Sequence, residues 1–373
     1  MSLPENPVAT VGPVKIVGTG LLGASLGLAL SAAGIRVQLA DSSPSALALA
    51  RDLGAGTPAC PGGPEPALVV VAAPPDVTAE VVREQLHAHP EAVVTDVASV
   101  KVPVVAEIVQ KAGENAARYV GSHPMAGRER SGAAAAHGDL FAGRPWVIVP
   151  LESSRADAVL AVRQLAADVG GAPLTLGAAE HDDAVALVSH LPQLAASLVA
   201  SRLRGAPESA LGLAGQGLRD VTRIAASDPQ LWATILVGNA GPVAHALREM
   251  RAEIDTVLEA LERAAADGPD APGSTGPLAA VVAAGNSGVS RIPGKHGGAP
   301  RRYAEVTVLI PDEPGALARL FGDVGEAGVN IEDVQLEHSA GQRVGLAVVS
   351  VLPSAAAPLE EALTEKGWRL VAR

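Results

Sequence analysis

Residues Val14–Gly23 read VKIVGTGLLG: a β-branched strand, a glycine-rich turn, and the opening of the Ala/Leu-rich helical run LLGASLGLALSAAG. Gly18-Thr19-Gly20-Leu21-Leu22-Gly23 fits GxGxxG in the strand–turn–helix setting that a dinucleotide fingerprint requires. Gly18 and Gly20 permit a tight turn and close backbone approach to a pyrophosphate. Gly23 lets helix and strand pack closely, and the helix N-terminus directs N–H groups at the anion. Asp41 closes the next strand, where a carboxylate accepts hydrogen bonds from both ribose hydroxyls and repels a 2′-phosphate, so NAD is expected over NADP. Asp41 equally suits capping of a helix that starts near Pro44, and Arg36 and Arg51 nearby keep NADP as an alternative.

Outward from this unit, short β-branched runs alternate with Ala/Leu segments as far as Leu176. Strands are predicted at Val14–Gly18, Arg36–Asp41, Leu68–Ala72, Ala92–Asp96 and Trp146–Val149, with helices between them. That alternation predicts an α/β fold with a parallel sheet covered on both faces, a Rossmann dinucleotide-binding domain over residues 12–176. From Ala178 to Ala266 the strand signal disappears, and charges fall at helical spacing, as in HALREMRAEIDTVLEALERAAA. An all-helical domain is predicted over 177–285. Residues 267–300, with DGPDAPGSTGP and RIPGKHGGAPRR, read largely as linker, and 286–301 as the joint to a last domain. That domain, 302–373, opens on alternating EVTVLI and reads as a small α+β unit.

Composition narrows the function. The 373 residues are 48% hydrophobic with only 2% aromatic, so small aliphatic side chains must pack the interior. The net charge of −12 and the lack of a basic stripe argue against nucleic-acid and anionic-membrane partners. Cys60 stands alone, which excludes an internal disulfide. The N-terminus has no signal-peptide pattern, and apolar runs are interrupted by His, Gln, Arg and Pro, so a cytoplasmic protein without bilayer-spanning helices is expected. The His residues show no metal-ligand spacing, and no metal is expected.

Downstream of the fingerprint, Gly121–Gly127 (GSHPMAG) sets His123 in a Gly/Pro-punctuated loop, a candidate proton acceptor for hydride-transfer chemistry. TDVASVK (95–101), SHLPQ (189–193) and GLRDVTRIAASDPQLW (217–232) follow the same theme. Together these segments resemble, over nearly all of 14–285, the prephenate/arogenate dehydrogenase family of tyrosine biosynthesis. IPDEPGALARLFGDVGEAGVNIEDVQLE resembles an ACT domain, a ferredoxin-like α+β module that commonly binds amino acids.

The resemblance implies NAD-dependent oxidative decarboxylation of prephenate to 4-hydroxyphenylpyruvate, with arogenate as the alternative substrate and a non-catalytic sensor of NAD and an amino acid as a further alternative. His123 would take the hydroxyl proton, with Ser99 orienting it; Ser99 equally suits capping a helix that begins near Val100 or Lys101. Arg223 matches the family arginine that clamps a substrate carboxylate. His190 and Trp232 match substrate-pocket positions, although either residue type also fits a helical core. Arg219 stands where the family often has Lys. Asp220 and Glu129 would organise or gate the basic groups, and Arg128 would add positive charge at the pocket mouth. Gly315, Ala316, Asn330 and Ile331 match the ACT positions that contact an effector, here an aromatic end product such as tyrosine. A homodimer assembled through the helical domain is implied.

Overall fold

The computed structural model describes residues 8–127, 132–293, 303–338 and 344–371. The chain divides into two compact units, Met1–Leu198 with Ile224–Arg248 and Val199–Arg223 with Glu249–Arg373.

The first unit is built on β1 (Val14–Val17), α1 (Leu21–Ala32), β2 (Val37–Ala40), α2 (Pro44–Asp52), β3 (Thr57–Pro58), β4 (Leu68–Val71) and α3 (Pro75–Ala88). It continues through β5 (Val93–Asp96), α4 (Val102–Lys111), β6 (Tyr119–Pro124), β7 (Pro145–Pro150), α5 (Ala156–Asp168) and β8 (Ala172–Thr175). The strands form an eight-stranded sheet in the order β3-β2-β1-β4-β5-β6-β7-β8. Its first six strands have the Rossmann order, with the reversal between β1 and β4, where such folds place their ligands. On β4, Leu68 and Val70 join one apolar cluster and Val69 and Val71 the other. Every residue of β4 is therefore buried, as period-2 alternation requires of a sheet with both faces covered.

The expectation of a parallel sheet fails at one edge. β6 pairs with β7 antiparallel, and β8 then runs parallel to β7, so the last two strands oppose the other six. The sequence YVGSHP conceals β6, because glycine, histidine and proline break the β-branched signal on which strand reading depends.

After β8 the chain is helical, as expected. α6 (Ala178–Val185) passes through a π-turn, Ala186–His190, into α7 (Leu191–Arg202), followed by α8 (Glu208–Leu211), α9 (Gln216–Arg223), α10 (Pro229–Gly238), α11 (Ala240–Asp267) and α12 (Thr275–Val289). Two expectations are corrected here. α12 occupies the stretch read as linker, because its PLAAVVAA segment outweighs the flanking glycines. The continuous run Ala178–Gly205 is long and apolar enough to cross a membrane by length and composition. It also carries His181, Asp182 and His190, each buried and hydrogen-bonded within the protein.

The C-terminal part of the second unit is β9 (Ala304–Pro311), α13 (Ala316–Glu326), β10 (Asp333–His338), β11 (Val344–Val351), α14 (Pro353–Glu365) and β12 (Arg369–Leu370). The antiparallel order β10-β11-β9-β12 with two helices is the ferredoxin-like βαββαβ arrangement. Val306, Val308, Leu320, Val349 and Leu359 form its core.

Candidate active site

At the end of β1 the fingerprint turn is dictated by packing. Gly18 has φ +101°, and a Cβ there would lie 2.4 Å from the Ala72 carbonyl oxygen. A Cβ on Gly23 would lie 1.9 Å from the Gly18 carbonyl oxygen, so α1 could not seat against the turn. At Gly20, the N-cap of α1, a Cβ would meet nothing within 4 Å, which leaves an open approach to the helix N-terminus. This is a cradle suited to a dinucleotide pyrophosphate. Leu21 and Leu22 pack their side chains against the core beneath.

Asp41 braces the turn: Oδ2 accepts from Thr19 N (2.6 Å) and Oγ1 (2.8 Å), and Oδ1 from Ser43 N (2.8 Å). Burial raises its pKa, but these hydrogen bonds outweigh burial and hold the carboxyl below its ordinary value. The helix-capping alternative goes to Ser43, whose side chain accepts from Ala46 N. The residues present thus fit NAD, with Gly20 and the start of α1 at the phosphates and Asp41 at the ribose edge.

His123 lies on β6 rather than in a loop, because Gly121–Pro124 pair with Trp146–Val149 of β7. Its Nδ1 is 2.8 Å from His181 Nε2, and His181 Nδ1 is 2.7 Å from Asp182 Oδ1. Asp182 in turn accepts Lys101 N (2.8 Å) and Val102 N (2.8 Å), the first N–H groups of α4. Asp182 therefore caps α4, the role the sequence offered to Ser99, which sits in the preceding turn.

This chain of bonds fixes tautomers. The Asp182 carboxylate can only accept, so His181 Nδ1 carries the hydrogen and His181 Nε2 is an acceptor. His123 must then donate from Nδ1, which leaves Nε2 as the bare acceptor that a substrate hydroxyl needs. Burial, reinforced by His181, Lys101 and His190, pushes the His123 pKa well below the ordinary imidazole value, so the ring is neutral at neutral pH.

A second buried network holds the turn that carries Ser99. Asp96 pairs with Lys101, both fully buried, and accepts Tyr119 Oη (2.7 Å) and Ala98 N (2.8 Å). Burial pulls the Lys101 pKa down against the opposing effect of Asp96, and burial with Asp96 pushes Tyr119 up.

His190 closes the π-turn, a deformation frequent at functional positions, and is buried. Asn239 Nδ2 contacts both the Asp182 carbonyl (2.7 Å) and His190 Nδ1 (3.1 Å). With the amide donating, His190 keeps its hydrogen on Nε2 and presents a donor. Burial brings its pKa to about 4, with Asp182 opposing and His181 assisting. Trp232 meets His190 edge-on at 6.0 Å, which joins these two sequence-selected residues.

The structure does not place the remaining candidates in this cluster. Arg219, Asp220 and Arg223 lie exposed on α9, in the second unit, where Asp220 accepts Gln216 Nε2. Arg128 and Glu129 lie outside the described residues. Gly315 is the left-handed N-cap of α13 (φ +88°), Ala316 and Ile331 pack on the C-terminal core, and Asn330 donates to Glu332. His181, Asp182 and Asn239 were not singled out by sequence. Only the acidic pair member directly after a histidine, near the start of the helical region, hinted at them.

A nucleotide-binding sheet that also carries a part-buried, hydrogen-bond-oriented histidine on β6 defines a nucleotide-dependent dehydrogenase. The comparisons narrow the class. The family profile described as "Prephenate dehydrogenase, nucleotide-binding domain" matches residues 26–174, and "Prephenate dehydrogenase, dimerization domain" matches 177–269. The chain is 37% identical to Probable prephenate dehydrogenase NovF of Streptomyces niveus, over 95% of this chain and 98% of that protein. It is 27% identical to prephenate dehydrogenase of Bacillus subtilis, over 87% of each. The crystal structure of A. aeolicus prephenate dehydrogenase in complex with hydroxyphenyl propionate and NAD+ superposes with a TM-score of 0.62 at 27% identity, covering 74% of this chain and 97% of that one. The chain belongs to the prephenate dehydrogenase family.

Proposed function

We infer that this chain catalyses the NAD-dependent oxidative decarboxylation of prephenate to 4-hydroxyphenylpyruvate, a step of tyrosine biosynthesis. NAD, when bound at Gly18–Gly23 and Asp41, supplies the hydride acceptor. The observation that carries the mechanism is the chain from His123 through His181 and Asp182 to the N-terminus of α4. In our reading, His123 Nε2 accepts a hydrogen bond from the ring hydroxyl and takes its proton as the carbonyl forms. The imidazolium that results is met by His181 backed by Asp182, which is itself held by two backbone N–H groups. Loss of the ring carboxylate as carbon dioxide and aromatisation make the step downhill.

Substrate contacts follow the family resemblance: Arg223 on a carboxylate, His190 Nε2–H as a donor, Trp232 on an apolar edge, and Ser99 toward the nicotinamide. Arg219, Asp220 and Glu129 are assigned to organising or gating the charged groups. A homodimer is supported by Ile254, Leu258 and Leu261, exposed at helical spacing along α11. We place the protein in the cytoplasm and keep domain bounds of 12–176, 177–285 and 302–373. We assign the C-terminal module an ACT-like role, with an amino acid such as tyrosine at Gly315, Ala316, Asn330 and Ile331. NADH absorbance measured with prephenate or arogenate, each with NAD or NADP, tests the reading. Turnover of prephenate with NAD is expected, turnover of arogenate alone would replace the substrate, and activity with none would overturn it.

A further inference from the structure

The sheet has a second cluster of chemically active side chains, at the edge where its strands begin, opposite the fingerprint. Lys15 is the second residue of β1, Glu65 precedes β4, and His89 follows the C-terminus of α3. Lys15 Nζ lies 3.1 Å from His89 Nε2, and His89 Nδ1 lies 2.8 Å from Glu65 Oε2. The nucleophile is within hydrogen-bond reach of a base, and the base is oriented by a carboxylate, which is the general form of an activated-nucleophile triad. The function proposed above uses none of the three.

The bond pattern again sets protonation. Glu65 accepts from His89 Nδ1–H, so Nε2 faces Lys15 as an acceptor. Lys111 and Lys366 are instead paired with carboxylates. Lys15 is half-buried, and burial draws its pKa down from the ordinary value while Glu65 opposes. The site meets solvent, because Lys15 is itself only half-buried and the neighbouring Glu65 side chain is 76% exposed.

We propose that Lys15, with His89 as base and Glu65 as orienting carboxylate, is a site of Nε-acylation by activated acyl donors of the thioester or acyl-phosphate class. The Lys15 ammonium passes a proton to His89 Nε2, and the imidazolium is held by Glu65. The Nζ lone pair attacks the acyl carbon, an N–C bond forms, and the C–S or C–O bond to the leaving group breaks. The thiolate or phosphate departs with the bond pair and is protonated from His89, and the freed His89 Nε2 then takes the second proton from the acylated nitrogen and releases it to solvent. An amide replaces the ammonium, with no net oxidation or reduction.

The test treats the full chain with acetyl phosphate, and separately with acetyl-coenzyme A, and follows acetylation of each lysine by quantitative mass spectrometry. Lys111, on α4, serves as the internal reference in the same sample. Lys15 is expected to react roughly tenfold faster than Lys111, a modest share of what a positioned general base supplies. His89→Gln should bring Lys15 to the Lys111 rate or below, and Glu65→Gln should lower it several-fold, with the Lys111 rate unchanged in both variants as a check on folding. A Lys15 rate no greater than that of Lys111, or one unaltered by His89→Gln, would overturn the assignment.

Discussion

Two strand–turn–helix corners, Val14–Ala32 and Ala304–Glu326, both enter their helix past a left-handed glycine, and they differ in what surrounds it. At Gly18 and Gly23 a side-chain carbon would strike backbone at 2.4 and 1.9 Å, whereas at Gly315 it would meet nothing within 4 Å. The first corner needs glycine for space as well as for conformation, and the second for conformation alone. The first is also braced by Asp41 from the neighbouring strand. A corner locked in this way presents a fixed backbone to a pyrophosphate, while the second leaves open space beside its glycine.

Gly23→Ala should have the largest effect, loss of measurable NAD binding by calorimetry, because rigid backbone must shift to admit the methyl group. Retained affinity would show that the corner is not locked. Next comes Lys101→Ala, which strands buried Asp96 without its cation and should lower stability to denaturant by about 3–5 kcal/mol. An equivalent charge removal in the C-terminal unit, Lys366→Ala, breaks pairs at the protein surface and should leave the denaturation midpoint nearly unchanged.

Acid sharpens the same contrast. His190 is neutral when folded, with a pKa of about 4 against an ordinary 6.5, so the unfolded chain binds the additional proton between those values. The His190 contribution should be intact above pH 6.5, be lost as the pH drops toward 4, and change no further below that. The melting temperature of His190→Gln, followed over that window, should fall less steeply than that of the native chain. Gly315→Ala should cost about 1–2 kcal/mol from the left-handed backbone alone, read from denaturant unfolding.

Much of the fold is legible in local pattern. β1, β2, β4, β5 and β7 carry β-branched runs, and the fingerprint announces the corner that holds the nucleotide. β6 is hidden because its Gly, Ser, His and Pro are chosen by the site it carries, and that misreading also put His123 in a loop. The reversal of β7 and β8 follows from the same hidden strand. α12 is concealed by glycines at its ends. The site is half legible: His123 and His190 stand in recognisable segments, but His181 lies 58 residues from His123, and only the folded chain brings them to 2.8 Å. Asp182 is still less visible, since its partners are backbone groups of a helix 80 residues away. Arg219, Asp220 and Arg223 were selected through resemblance, and no local rule separates them from exposed helix charges.

His123 is the proton acceptor we propose for an NAD-linked oxidation of prephenate. The most direct measurement is NADH formation from saturating prephenate and NAD by the native chain and by His123→Ala, alongside NAD affinity for both. The native chain should turn over, and the variant should lose about 10²–10⁴-fold in kcat while binding NAD nearly as well. A native chain inert toward prephenate, or a variant with full turnover, would contradict it.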